Sequence, residues 1–386
     1  MKYFRNSYDE SHYDFLERVE LLKKLYPSIE ADSHMMPPDN IDGMYTDSLF
    51  VPGKKDNKLL IITSGVHGIE GYTGSAIQNM IIDNFLLKTN LKTGKKEFIQ
   101  PKYPILFIHI INPYGHKYFR RVNENNVDLN RNFLPGVFDF RVEVQNRNKA
   151  YAEMADFLIP KGPYRYRIGE KILFLLKTLV KVKQKGIKLF RQAILQGQYQ
   201  FKEGIFFGGH LYQPQFLLID QLLEKYAIDR DEVVAIDIHT GYGERGKLHL
   251  IGLDRYPEPG ILEYLQKLYP HQTIEQASAD DGDFYKIEGA LFEHIFSKLR
   301  KKDVKVYPIA WEFGTNNNTK TLKSLESLRI IIGENQSYHY NTNNARSYRK
   351  ITKDFRELFY PSDRKWRTKV MQTALDTFEQ LLKNFD

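Results

Sequence analysis

The sequence contains no cysteine, which excludes disulfides and thiolate sites, so any metal here must be held by nitrogen and oxygen. It has no run of eighteen apolar residues, which argues against a membrane-spanning helix. The opening stretch, Met1 to Lys24, is charged throughout and lacks the apolar segment of a secretory signal, so a cytoplasmic location is expected. No internal repeat, low-complexity tract or clear linker interrupts the 386 residues. The simplest organisation is a single domain over 1–386 with a large insertion at 140–232. The formal charge of +8 is local, because ten Lys or Arg between Lys161 and Arg191 face one acid, Glu170. Outside that stretch the balance is close to neutral, and no nucleic-acid partner is called for.

What is present is ordinary for a soluble enzyme: 42% hydrophobic and 27% charged residues, enough to bury a sizeable core. Residues 12–26 place Phe15, Val19, Leu22 and Tyr26 on one helical face. Four short apolar runs follow: Leu59–Ser64, Ile105–Ile111, Val233–His239 and Val304–Trp311. Turn residues bound each run and helical patterns separate them. This predicts an α/β fold, a mixed, mostly parallel central sheet with helices on both faces. Pro308 within the fourth run suits an edge or a bulge better than a central strand. Arg167–Gln192 reads as a basic helix, 196–209 as a glycine-punctuated loop, and 368–383 as a closing helix.

The unusual polar residues fall at or just past the C-terminal ends of these runs. The first delivers His67 and Glu70, the second Asn112, the third Asp237 and His239, and the fourth Glu312. Open α/β sheets build their sites at that edge, where loops and helix N-termini converge. A His and a Glu three apart in a glycine-rich turn, joined by a distant His, form the two-His, one-Glu set that leaves zinc an open position. The plainer reading of His67 is a turn histidine next to a helix. Of the other nine histidines none has this setting, and His109 reads as a satisfied core residue. Asp237 lies two before His239, so both point to one face, where the carboxylate orients the imidazole or simply bonds to backbone. Glu312 ends an apolar strand, where its pKa should rise toward that of a general base, or else it caps a helix. Arg121, Asn130 and Arg131 sit in a polar loop and supply donors for a carboxylate or an oxyanion, or else a solvated surface.

Together these segments resemble the zinc carboxypeptidase family. HGIE (67–70) is similar to its first metal motif, RVNENNVDLNRNF (121–133) to its Arg/Asn-Arg motif, IDIHTG to its second metal histidine and WEFGT to its catalytic glutamate. MKYFRNSYDESHYDFL, SGVHGIEGYTGSAIQ, QGQYQFKEGIFFGG and FYPSDRKW further resemble a bacterial branch of that family described only as a domain of unknown function. The resemblance implies one Zn²⁺ held by His67, Glu70 and His239, with Glu312 deprotonating the zinc-bound water and passing the proton to the leaving amine. It implies that Arg121 stabilises the oxyanion, that Asn130 and Arg131 grip a substrate carboxylate, and that Asp128 supports His67. The family's mobile tyrosine corresponds by region to Tyr285, although the residues around it do not follow the motif. The 107-residue gap between Arg131 and His239 exceeds that of compact members. The implied substrate is a peptide with a free carboxylate, or an N-acyl amino acid for a deacylase of the same fold. A different class remains open: a non-catalytic binding protein that meets a membrane through the basic helix. Such a helix more commonly packs its apolar face on its own domain and leaves its lysines in water.

Overall fold

The computed structural model describes residues 2–37, 43–166, 168–253, 259–276, 288–318, 320–340 and 345–385. Eight strands of these residues form one sheet: β1 (Glu30–Met35), β2 (Tyr45–Val51), β3 (Lys58–Ser64), β4 (Ile105–His109), β5 (Glu232–Gly241), β6 (Leu248–Ile251), β7 (Ile274–Glu275) and β8 (Lys305–Gly314). Their spatial order is β1-β2-β4-β3-β5-β8-β6-β7. The central block β4-β3-β5-β8 is parallel throughout, and β1, β2 and β6 join it by antiparallel pairing. The fold is therefore α/β with a mixed, mostly parallel sheet, and the four apolar runs are its four central strands.

The principal helices are α1 (Tyr8–Leu25), α2 (Gly71–Ile81), α3 (Ile168–Lys185), α4 (Ile187–Leu195) and α5 (Pro214–Tyr226). They continue with α6 (Pro259–Leu268), α7 (Leu291–Arg300), α8 (Thr321–Tyr340), α9 (Ala345–Phe359) and α10 (Arg364–Asn384). Alternation along the strands divides the core in two. Leu60, Ile62, Val234, Ile236, Ile309 and Trp311 face α1, α2, α6, α9 and α10. Leu59, Ile61, Val233, Ala235 and Val306 face α5 and α7. Both faces are covered, which is why the central strands read as unbroken apolar runs rather than as alternating ones.

Two sequence expectations are modified. Strand β8 is not an edge strand, since β5 pairs along its whole length from Lys305 to Gly314. On its other side β6 pairs with Ala310 to Phe313. The basic helix is two helices, because Gly186 takes φ +82°, a left-handed conformation that ends α3 before α4 begins. Inside the segment 140–232, Tyr151, Met154, Phe190, Ala193 and Ile205 gather with Leu328 and Ile332 of α8 into a separate apolar cluster.

Candidate metal centre

The parallel block aligns the carboxyl ends of its strands. Glu312 of β8 stands in register with His239 of β5, and Thr63 of β3 with Asp237. Past Ser64 the chain turns sharply at Gly65, which has φ +71°. It then forms a single 3-10 turn, Gly68–Glu70, that leads into α2. That turn folds His67 and Glu70 back toward β5. His67, Glu70 and His239 are all buried, and one ligand atom from each lies within 4.8 Å of the others.

Each ligand candidate is oriented from behind. His239 has Nδ1 3.1 Å from Glu70 Oε2 and Nε2 2.6 Å from Asp237 Oδ2. Asp237 is fixed in turn by the Thr63 hydroxyl, which donates to Oδ1 at 2.6 Å. His67 Nε2 lies 3.3 Å from Asp128 Oδ1. Asp128 Oδ2 accepts from Arg121 Nε at 2.9 Å, and Arg121 Nη1 donates to Glu70 Oε1 at 3.3 Å. Arg121 Nη2 also lies 2.6 Å from His67 Nε2. That nitrogen cannot accept from Arg121 and donate to Asp128 at once, so the two contacts belong to alternative tautomers of His67.

The charges are strongly coupled. Burial pushes the Glu70 carboxyl up, but His67 and His239 outweigh it and hold it well below the usual carboxylate range. Burial likewise opposes the ionised form of Asp128, and the Arg121 charge overrides it. His239 is disfavoured as a cation by burial yet held well above the ordinary histidine range by Asp237. Glu312 moves the other way. Burial first and the Glu70 carboxylate second push it up to about 8, although its Oε1 accepts the Tyr242 N–H at 2.9 Å.

These residues fit a small divalent cation. The donors are two imidazoles and a carboxylate, the set that suits zinc while leaving a position open. His67 Nδ1 lies 2.9 Å from Glu70 Oε1, yet it is buried without an aligned hydrogen bond. In the tautomer whose Nε2 proton faces Asp128, the Nδ1 lone pair is directed at a space shared with a carboxylate and a second imidazole, which a cation between them would satisfy.

The remaining candidates sit as follows. Asn130 and Arg131 lie in a buried 3-10 turn that Asp128 caps through the Asn130 N–H. The Asn130 carbonyl oxygen caps α7 by accepting from Leu291 N at 2.8 Å, so its amide NH₂ is the end left for a ligand. Burial lowers the Arg131 pKa from that of an ordinary guanidinium. Arg131 is walled in by the 140–232 segment: a Cβ on Gly197 would stand 2.6 Å from its Cδ, and the Tyr199 hydroxyl donates to its carbonyl at 2.8 Å. Asn112 is a structural residue, its Oδ1 capping Gly115 N at 2.9 Å and its Nδ2 holding the Arg121 carbonyl at 3.1 Å. His109 is a core residue, bonded to Ser75 Oγ at 2.9 Å and stacked on Phe15. Tyr285 lies outside the described residues.

Sequence reasoning missed the parts that hold Glu312 and Arg121. His249 stands in register with Glu312 on β6. Its Nε2 accepts from Glu244 N at 3.0 Å and its Nδ1 faces Glu275 Oε1 at 2.6 Å. This anchors the loop whose Tyr242 N–H reaches Glu312. Arg120 is buried against Glu334 Oε1 at 2.9 Å and under the Tyr338 ring at 3.5 Å, so it fixes the backbone that carries Arg121. A register position and a contact across 214 residues leave no mark in local sequence.

Over residues 4–373 the sequence matches the family described as "Protein of unknown function (DUF2817)". No curated protein matches it. Among solved structures it is similar to the carboxypeptidase A from Helicoverpa armigera, at 12% identity and a TM-score of 0.45, covering 91% of this chain and 73% of that one. It is similar to the thrombin activatable fibrinolysis inhibitor at 11% identity and a TM-score of 0.44, covering 90% and 77%. It is also similar to a murein-tripeptide amidase from Escherichia coli O157 at 15% identity and a TM-score of 0.36, covering 86% and 98%. At these scores the likeness adds nothing to what the chain's own residues establish.

Proposed function

The chain belongs to the family described as a protein of unknown function, DUF2817, and we propose that it is a zinc-dependent hydrolase that cleaves an amide bond next to a free carboxylate. The observation that carries this reading is the convergence of His67, Glu70 and His239 within 4.8 Å, with Glu312 in register beside His239. When bound at these three residues, zinc would supply Lewis acidity, polarising the scissile carbonyl and easing the loss of a proton from water.

Glu312 is the base. The Glu70 carboxylate helps to raise Glu312, and wherever that charge is offset at a loaded site Glu312 would ionise more readily as a base. Its Oε1 is occupied by the Tyr242 N–H, which leaves Oε2 to take the proton of the attacking water and return it to the leaving nitrogen. A proton fixed on His67 Nε2 is accepted by Asp128 and leaves Arg121 Nη2 without an acceptor there. Arg121, still tethered to Asp128 through Nε, then donates to the oxygen that becomes negative as the carbonyl is attacked. Arg131 and the Asn130 amide grip the substrate carboxylate.

The test is metal content together with turnover. Protein purified in the presence of zinc should carry one equivalent, and His67→Ala should lose it. Glu312→Gln should keep the metal and lose about 10²–10⁴ of its activity. A panel of peptides beside a panel of N-acyl amino acids separates peptidase from deacylase. Wild-type protein that binds no zinc, or Glu312→Gln with full turnover, would refute the reading.

A further inference from the structure

Helix α3 is apolar on two opposite faces, whereas a surface helix needs only one. Phe174 and Val182 turn inward onto the cluster of Tyr151, Met154 and Phe190, with Thr178 buried between them. The other face presents Ile172, Leu173, Leu176, Leu179 and Val180, exposed by 62, 52, 55, 63 and 52%. At about 100° per residue these five fall within an arc of roughly 120° opposite Phe174 and Thr178. Ile187, 47% exposed, follows beyond the break at Gly186.

Charge decides what this face suits. Lys171, Lys181 and Lys185 are paired with Glu326, Asp156 and Glu153. Lys177 borders the stripe and Lys183 lies at its C-terminal end, and neither makes an ion pair among the described residues. A second copy of the chain would bring two such basic faces together. A nucleic acid would leave the leucines in water. An anionic lipid surface satisfies both features: apolar side chains enter the boundary between headgroups and acyl chains while the lysines meet phosphates. No helix of the described residues is long and apolar enough to cross a membrane, so the helix would lie in the interface plane.

We propose that α3 docks flat on an anionic membrane surface through the face of Ile172, Leu176 and Leu179. The docking is independent of the hydrolase reading and is tested without turnover. The full chain is sedimented with vesicles of phosphatidylcholine containing about 30% phosphatidylglycerol, and with vesicles of phosphatidylcholine alone. Binding is expected to the anionic vesicles and to fall away in about 0.5 M NaCl. Lys177→Ala/Lys183→Ala should lower the binding constant about thirty-fold, at roughly a factor of five per lysine. Leu176→Gln/Leu179→Gln should lower it at least about ten-fold. All four side chains point to solvent, and an unchanged circular dichroism melt confirms that the variants fold. Absence from the anionic pellet, equal binding by either variant, or a dimer in ultracentrifugation that the leucine pair abolishes would overturn the proposal.

Discussion

Glycine at position 68 is a requirement of space, and its replacement tests how the centre is built. The turn between His67 and Glu70 lies flat on the chain at Gly115 and His116. A Cβ on Gly68 would stand 2.2 Å from the Gly115 carbonyl carbon and 2.3 Å from the His116 nitrogen, where ordinary contact is 3.4–4 Å. The turn must therefore retreat by about 1 Å or more. Neither wall yields easily, because Gly68 N and Ile69 N donate to the Arg121 and Arg120 carbonyls at 3.1 and 2.9 Å, and His116 Nδ1 meets the Gly68 carbonyl at 3.1 Å. Overpacking of this kind costs about 1–3 kcal/mol, and each hydrogen bond lost adds roughly 1 kcal/mol. Gly68→Ala should thus be destabilised by about 2–5 kcal/mol in urea unfolding. Because ligand distances tolerate only about 0.2 Å, zinc affinity should fall by at least about a hundred-fold in competition with a chromophoric chelator. Gly169→Ala is the control: nothing lies within 4 Å of an added Cβ there, and in helix α3 it should change stability by no more than about 1 kcal/mol, in the stabilising direction. Wild-type stability and zinc affinity in Gly68→Ala would refute the reasoning.

Asp237→Asn keeps the shape beside His239 Nε2 and removes the charge, so zinc should bind about 10–100-fold more weakly in the same competition; an unchanged affinity would show that the carboxylate does not orient the ring. Stability should fall below pH 6.5 in metal-free Glu312→Gln. His109 and His116 are completely buried, and burial holds both below the ordinary histidine pKa, so on acidification the unfolded chain takes up protons that the folded chain refuses. Each histidine should cost up to about 1.4 kcal/mol per pH unit below its unfolded pKa, until the folded pKa is reached. His239, held protonated by Asp237, acts in the opposite sense: its contribution is complete below pH 6.5 and is lost as pH rises toward its folded pKa. Glu312, pushed up to about 8, would also take up a proton on folding as pH falls and so mask the loss, which is why the variant is used; urea midpoints of Glu312→Gln at pH 7.0 and 5.5 measure the effect, and equal or greater stability at pH 5.5 would contradict it.

The central sheet is legible because strands covered on both faces must be apolar at every position, and such a run stands out from helical periodicity. The flanking strands are not legible for the converse reason. Residues 30–35 (EADSHM) form edge strand β1 with side chains that are all exposed or half-exposed, and β7 is two residues long. Neither buries enough to leave a pattern. Pro308 reads as an edge signal but sits inside the sheet, paired with Ala235 of β5, while β6 meets the same strand from Ala310 onward. A sequence records what a proline tolerates locally, while the length of the neighbouring strand is written 60 residues earlier.

The chemistry of the site was open to sequence in proportion to how far each group depends on its own strand. His67, Glu70, His239 and Glu312 could be placed together from sequence because parallel strands with a common direction must end along one edge, whatever lies between them in the chain. The adjacent arginines show where that logic stops. Both carry carbonyls bonded by the His67–Glu70 turn, and their side chains part: Arg121 toward Glu70 and Asp128, Arg120 toward Glu334 and Tyr338 of α8. Residue type cannot tell them apart, since either guanidinium could serve an oxyanion. The difference lies in the burial of Glu334, which needs a cation in place and finds one only if α8 packs where it does. The roles of neighbouring residues are thus set by the least mobile partner each can reach, and that partner is fixed by the packed helices rather than by the motif.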